Sequence, residues 1–118
     1  MDPLYREHIL RHHRHPENYG LADDFDIEAH GDNPSCGDSI VVRLKMDSER
    51  IASVSFEHKG CVISRAAASL CSGFIQGKSL ADIRGLTHER IIALLGITLT
   101  PLRFKCATLF LDTLEKIW

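Results

Sequence analysis

Three of the four cysteines in this 118-residue chain, Cys36, Cys61 and Cys106, stand at turns or element ends, and Asp38 follows the first of them by two positions. Side chains at such places can converge, because no helix or strand holds them at fixed separations. Three thiolates and one oxygen form a four-donor set suited to Zn²⁺ or iron. The carboxylate is the informative member. A closed structural zinc site more often uses sulfur alone, or sulfur with histidine. A carboxylate is a harder donor and exchanges more easily, so such a site points to a metal or cluster that is meant to leave.

Each donor also has a plainer reading. Cys36 and Asp38 flank Gly37 in Asn33-Pro34-Ser35-Cys36-Gly37-Asp38, where glycine permits a tight turn that turns both side chains to one centre. Asp38 can equally be a turn aspartate bonded to its own backbone. Cys61 follows Gly60 and opens a helix, where the helix dipole and free N–H groups favour a thiolate; position alone leaves a buried thiol equally acceptable. Periodicity groups Cys106 with Leu102, Leu109, Phe110, Thr113 and Ile117 on one side of the last helix, which makes it a core residue. It lies only five residues past Pro101, where a core-facing side chain emerges at the rim. Cys71 is ten residues along the helix from Cys61, roughly 15 Å at about 1.5 Å per residue, so the two cannot share one ion; its place beside the helix's apolar stripe assigns it to the core. Lys105 either supplies positive charge beside the thiolates or is an ordinary exposed lysine. Lys105 and His30 are the groups this reading offers to fill the fourth position should Asp38 leave it. His8 and His12 share a helix face at a spacing that can bind metal, but with His13 and His15 they read better as a polar, exposed segment.

The elements that would position these residues are legible. Asp2 as N-cap and Pro3 at the first helical position start a helix to about Arg14, with Tyr5, Ile9 and Leu10 on its apolar side. His15-Pro16 ends it. Phe25 to His30 alternates weakly as a short strand, with Phe25, Ile27 and Ala29 on one side, and Gly31 to Gly37 is turn-rich. Ser39 to Met46 alternates cleanly, with Ile40, Val42, Leu44 and Met46 on one face. Asp47 to Arg50 makes a turn. Ile51 to Lys59 alternates again, with Ala52, Val54, Phe56 and His58 facing one way, so the pair reads as an antiparallel hairpin. The helix from Cys61 to about Gln76 carries Ile63, Ala66, Ala67, Leu70 and Phe74 as its stripe, and Gly77 caps it. Ser79 with Asp82 resembles a capping box, Thr87 caps a helix that Gly96 ends, and Thr100-Pro101 starts the last helix, running to near Trp118. The expected fold is α+β: a small, mainly antiparallel three-stranded sheet packed against helices, as one domain spanning residues 1–118, with the site at one edge.

Composition narrows the function. Hydrophobic residues make up 44% and charged residues 25%, and the net charge is −2, giving no case for nucleic-acid or membrane binding. No apolar run approaches the roughly 20 residues of a membrane span. Met1-Asp2-Pro3-Leu4 has no signal-peptide pattern, so a cytoplasmic location is expected, where cysteines serve metal or sulfur chemistry rather than disulfides.

At these residues the chain resembles a known family, the scaffold proteins of iron–sulfur cluster assembly (the U-type scaffolds of the Isc, Nif and Suf systems). The matching segments are Leu4-Tyr5-Arg6 with Ile9-Leu10, His15-Pro16-Glu17-Asn18-Tyr19-Gly20, Asn33 to Asp38, Gly60-Cys61 to Ser72, Gly77-Lys78-Ser79, and Lys105-Cys106-Ala107-Thr108-Leu109. The resemblance implies that Cys36, Asp38, Cys61 and Cys106 hold iron or a transient [2Fe–2S] cluster. It implies that a cysteine desulfurase delivers sulfur to Cys36, Cys61 or Cys106, the candidate persulfide acceptors, and that acceptor apo-proteins receive the cluster. Such a protein is a scaffold rather than an enzyme. Two features depart from the branches. Lys105 stands where the Isc branch has histidine, as in the Suf branch. Yet only 44 residues separate Cys61 from Cys106, without the insertion of the Suf branch. The chaperone-binding segment of the Isc branch is reduced to Leu99-Thr100-Pro101-Leu102-Arg103, so chaperone recognition is not carried over. The alternatives are a zinc-binding sulfurtransferase that relays persulfide through the same four residues, and a zinc-stabilised structural domain.

Overall fold

The computed structural model describes residues 3–96 and 99–117. The elements in chain order are α1 (Pro3–Arg14), β1 (Ile27–Asn33), β2 (Asp38–Asp47), β3 (Arg50–Lys59), α2 (Val62–Ile75), α3 (Leu80–Arg84), α4 (His88–Leu95) and α5 (Pro101–Leu114), followed by a 3₁₀ turn, Glu115–Ile117. The expected cap at Asp2 and helix end near Trp118 lie outside the described residues, as do the side chains of Tyr5 and Leu102. The strands form one antiparallel sheet in the order β1-β2-β3, so the α+β expectation holds. No helix among the described residues is long and apolar enough to cross a membrane.

One sheet face is covered by α2 and α5, with α1 packed outside α2 and α4 against α2 and α5. Val42, Leu44, Ile51 and Phe56 are completely buried beneath Ala68, Cys71, Ile75, Phe110 and Leu111. Phe56 of β3 meets Phe110 of α5 edge to face, ring centroids 6.3 Å apart, a contact worth about 0.5–1.5 kcal/mol beyond the area it buries. A second cluster, Ile9, Ala66, Ala67, Leu95 and Ala107, joins the helices to one another. The alanines let the helix axes approach. Gly31 does the same for the sheet: a Cβ there would run into Thr113 Oγ1 and lie 3.1 Å from Thr113 Cβ, so α5 can lie close against β1.

Capping follows the sequence closely. The side chains of Ser79, Thr87 and Thr100 each accept a backbone N–H at the start of α3, α4 and α5, Pro101 opens α5, and Gly96 ends α4 at φ 71°. These ends are fixed locally, by residues that satisfy orphan backbone groups.

Four expectations are corrected by pairing and packing. β1 runs to Asn33 rather than His30, because Gly31, Asp32 and Asn33 pair with Ile40, Ser39 and Asp38; ladder bonds override the turn preference of these residues. Phe25 lies before the strand, half exposed under the Arg43 guanidinium at 4.3 Å. In β3 Ile51 is buried and Ala52 exposed, the reverse of the expected face. A register shift at Lys45/Met46 pairs Lys45 with Ser53 and Met46 with Ile51, leaving Ala52 as the extra residue, and a bulge flips every side chain beyond it. On α2 the expected Ala66 and Ala67 are buried, but so are Ser64, Ala68, Ser69, Cys71, Ser72 and Ile75, while Ile63, Leu70 and Phe74 lie at the margins, because α1 and α5 cover the helix as well as the sheet.

The fourth correction concerns α1. His12 is not exposed: it is only 7% accessible, and its Nδ1 lies 2.7 Å from Ser69 Oγ on α2. Ser69 also accepts the Glu17 N–H at 2.7 Å, which fixes the chain where it leaves the helix. With Nδ1 engaged, the His8–His12 pair is a packing contact, ring centroids 4.9 Å apart. Burial, then the neighbouring His8, lowers the His12 pKa below the ordinary 6.5. The unfolded chain therefore takes up the proton first, and stability is lost as pH falls below that value. The melting temperature of the metal-free chain is expected to drop between about pH 7.5 and 5.5, and His12→Gln to shrink that drop; thermal melts of both proteins across this range test it, and equal slopes would contradict it.

Candidate metal centre

The site lies where three connections meet at one end of the sheet. The first is the β1–β2 turn, residues 34–37. Asn33 pairs with Asp38, the Cys36 N–H donates to the Asn33 carbonyl at 3.1 Å, and Gly37 adopts φ 68°. This turn presents Cys36 half-buried and points Asp38, the first residue of β2, inward, where it is 2% accessible.

The second is the β3–α2 junction. Gly60 has φ 136°, and a Cβ there would run into Asp38 Oδ1 and sit 2.8 Å from Asp38 Cα. Glycine is required by both conformation and space. The close approach lets the Cys61 N–H donate to Asp38 Oδ1 at 2.7 Å and brings Cys61 Sγ to 3.7 Å from Asp38 Oδ2. Cys61 is itself the N-cap of α2, its sulfur accepting the Ser64 N–H at 3.4 Å. Asp38 is therefore no ordinary turn aspartate. Its carboxylate bonds across the chain to the next connection.

The third is the start of α5, held against β1 by the Gly31–Thr113 approach. Cys106 is fully buried; its Sγ lies 2.7 Å from Cys36 Sγ and 3.7 Å from Asn33 Nδ2. Cys36 Sγ, a carboxylate oxygen of Asp38 and Cys106 Sγ all lie within 4.8 Å of one another, and Cys61 borders this group through Asp38. One ion with bonds of about 2.0–2.3 Å spans such a set after small side-chain rotations. The other grouping with ligand potential among the described residues, His88, Asp112 and Glu115, is a partly exposed ion pair, His88 Nε2 to Asp112 Oδ1 at 2.8 Å.

Burial, then hydrogen bonds with Cys36, Asp38 and Cys61, drive the Cys106 pKa well above the ordinary thiol range. A cation is what this group needs in order to ionise. Cys71 is buried under the sheet, away from this group, its pKa pushed up to about 12 by burial alone; it is a core thiol. Lys105 is exposed and lines a cleft with Asp32 and Asn33. His30 is exposed too, 2.7 Å from Glu28 Oε1 on the outer sheet face.

A different histidine adjoins Asp38. His58, on the inner face of β3, has a side chain only 1% accessible, with Nε2 4.0 Å from Asp38 Oδ1. Burial lowers its pKa to about 4, with Asp38 opposing the shift and Arg65 and His13 adding to it. The available signal was a histidine at an inward strand position three residues before Cys61, a place that a core gives to an aliphatic side chain.

The sequence model described as NifU-like N terminal domain matches residues 4–117. The chain belongs to that family. Its relatives include a Bacillus subtilis (strain 168) protein named zinc-dependent sulfurtransferase SufU, 35% identical in an alignment that covers 98% of this chain and 90% of the relative. An Aquifex aeolicus (strain VF5) protein named iron-sulfur cluster assembly scaffold protein IscU is 32% identical, spanning 94% of this chain and 71% of its own. A solved structure from Fervidobacterium islandicum AW-1, carrying the description of a cluster assembly scaffold protein for the SUF system, superposes with a TM-score of 0.79 at 26% identity, covering 93% of each chain.

In this NifU-like domain the Gly60 contact carries the first test of the site. Gly60→Ala forces both a strained φ and a collision with Asp38, and is expected to cost about 1–3 kcal/mol in denaturant titration and to weaken zinc retention against a chelator. A variant of parental stability and affinity would mean that this approach does not hold Asp38.

Proposed function

We propose that this chain is a scaffold on which an iron–sulfur cluster is assembled and from which it is passed to other proteins. The observation that carries the reading is the convergence of Cys36, Asp38 and Cys106 within 4.8 Å, with Cys61 bonded to the same carboxylate. The names of the Aquifex relative and the Fervidobacterium structure support it. The cluster is cargo, and in the finer form of the proposal it is a [2Fe–2S] cluster held by Cys36, Cys61, Cys106 and Asp38. A cysteine desulfurase supplies the sulfur, apo-proteins accept the cluster, and the whole of residues 1–118 acts as one scaffold domain in the cytoplasm.

The residues divide the work. Cys36 on its turn and Cys61 at the N-terminus of α2 are half-buried, so a donor's sulfane sulfur reaches them first. In that step the thiolate attacks the outer sulfur of the donor persulfide, a new S–S bond forms on this chain, and the donor leaves as thiolate. Converting that sulfur to sulfide takes two electrons from an external reductant. Cys61 Sγ stands at the start of α2, where it accepts the Ser64 N–H at 3.4 Å. Cys106 and Asp38 close the inner side of the site against water. Asp38 keeps Oδ1 on the Cys61 N–H and has Oδ2 for a metal, so it binds through one oxygen, as a hard donor among soft ones.

A second reading has one specific support: the Bacillus relative is named a zinc-dependent sulfurtransferase, and three thiolates with a carboxylate also suit Zn²⁺. In that reading the chain relays persulfide and builds no cluster. Metal analysis of the purified protein, followed by anaerobic reconstitution with iron and sulfide under visible absorption, separates the two. Charge-transfer bands are expected for the scaffold; bound zinc that iron and sulfide do not displace would favour the relay.

Two further outcomes are expected. Cys36→Ser, Cys61→Ser and Cys106→Ser each weaken metal or cluster retention, because a hydroxyl stays protonated near neutral pH, whereas Cys71→Ser retains it; loss in Cys71→Ser alone would overturn the ligand assignment. Asp38→Ala slows cluster transfer to an apo-acceptor more than it slows assembly, since it removes the donor through which ligand exchange begins. Paired rates of formation and transfer in both proteins are the measurement, and faster loss from the variant would mean that Asp38 retains the cluster instead.

A further inference from the structure

Among the described residues, the buried side-chain polar atoms without a hydrogen-bond partner are His13 Nδ1, Ser64 Oγ and both ring nitrogens of His58. Ser64 and His58 adjoin residues of the metal centre. Ser64 donates its backbone N–H to Cys61 Sγ, and His13 acts on His58 electrostatically. His58 is the extreme case, a whole imidazole enclosed with neither nitrogen engaged. A buried polar group in this state asks for an occupant that proteins alone do not supply, such as a water or an ion.

Its position is well braced. His58 pairs with Ile40 across the sheet, and its carbonyl accepts from Arg65 Nη2 at 3.4 Å. Arg65 lies over the Tyr19 ring and donates to the Tyr19 hydroxyl at 3.1 Å. The backbone is thus fixed while the ring is left without bonds, and Asp38 Oδ1 is 4.0 Å from Nε2. His58 is not part of the Cys36–Asp38–Cys106 grouping. Its close approach to that grouping is at Asp38, which makes the place of Asp38 the one it can take.

We propose that His58 is the reserve donor of this centre, a nitrogen ligand that takes the fourth position when Asp38 lets go. A neutral imidazole is a good donor to zinc and to iron, and it is poised beside the one donor of the set that exchanges readily. The site would then hold its ion or cluster in two ways, with oxygen or with nitrogen in the fourth place, and never present an open position to water between them. The exchange moves no electrons: one metal–oxygen bond breaks and one metal–nitrogen bond forms. This inference rests on the metal-binding reading above.

The test uses the full chain loaded with Zn²⁺ alone, measured by X-ray absorption for imidazole scattering and by chelator competition for affinity. Wild type is expected to bind one ion without imidazole scattering. Asp38→Ala is expected to bind within about tenfold of wild type and to gain that scattering, and Asp38→Ala/His58→Phe to lose it together with about a hundredfold in affinity. Asp38→Ser, which keeps an acceptor for the Cys61 N–H, gives the same spectral answer should the alanine variant fold poorly. Zinc bound in Asp38→Ala or Asp38→Ser without imidazole overturns the proposal for His58 and leaves the metal centre standing. Equal affinity in Asp38→Ala and the double variant overturns it as well. No zinc bound by folded wild type would overturn both the metal centre and the reserve donor.

Discussion

The hydrogen bond from the Cys61 N–H to Asp38 Oδ1, 2.7 Å long, joins the first residue of β2 to the start of α2, and it sets where the Asp38 carboxylate stands in the candidate metal centre. It satisfies a backbone donor at a helix start, where such groups have no intrahelical partner. It also holds a carboxylate in place with its second oxygen toward the sulfur of Cys61. The bond is possible only because Gly60 brings backbone onto Asp38. A carboxylate with 2% accessibility is costly to bury unless it is bonded or bound to a cation, and one backbone bond covers only part of that need. A cation bound on the Oδ2 side would supply the rest.

The remainder of the fold sets the opposite wall of the site. Cys106 belongs to a helix that is buried on several sides, and its sulfur reaches Cys36 because α5 lies unusually near β1. Gly31 sets that spacing against Thr113, and Phe110 on Phe56 fixes the helix along the sheet. The sheet end, the α2 start and the α5 start therefore form one frame, with the half-buried Cys36 turn at its mouth and the Asp38 carboxylate on its inner side. Such a division suits a centre that must assemble something and give it up.

Charge runs through this frame in one direction. Burial raises Cys106 and lowers His58, so without metal the interior favours a neutral thiol beside a neutral imidazole. A divalent cation reverses the first effect, because thiolates are stabilised directly by the ion they bind. Loading the centre would thus turn the buried Cys106 thiol into a metal-bound thiolate.

How much of this could be read from residues alone depends on the range of the forces. Caps, turns and helix starts are local, and Ser79, Thr87, Thr100, Gly96 and the Cys61 start of α2 were legible for that reason. So was the three-stranded α+β plan, since alternation and helical periodicity are short-range patterns, and so was the special character of Cys36, Asp38, Cys61 and Cys106, whose types and order carry the family resemblance. Tertiary packing decided the rest. The bulge at Ala52, the wider buried face of α2, the burial of His12 on Ser69 and the length of β1 each depend on a partner distant in sequence. The neighbour of Asp38 is the sharpest case. Asp38 itself was legible as the fourth donor, but the groups that sequence offered to fill its place, Lys105 and His30, are both exposed. His58 faces Asp38 because strand alternation turns it inward and antiparallel register sets β3 beside β2, a juxtaposition that exists only once the sheet has formed.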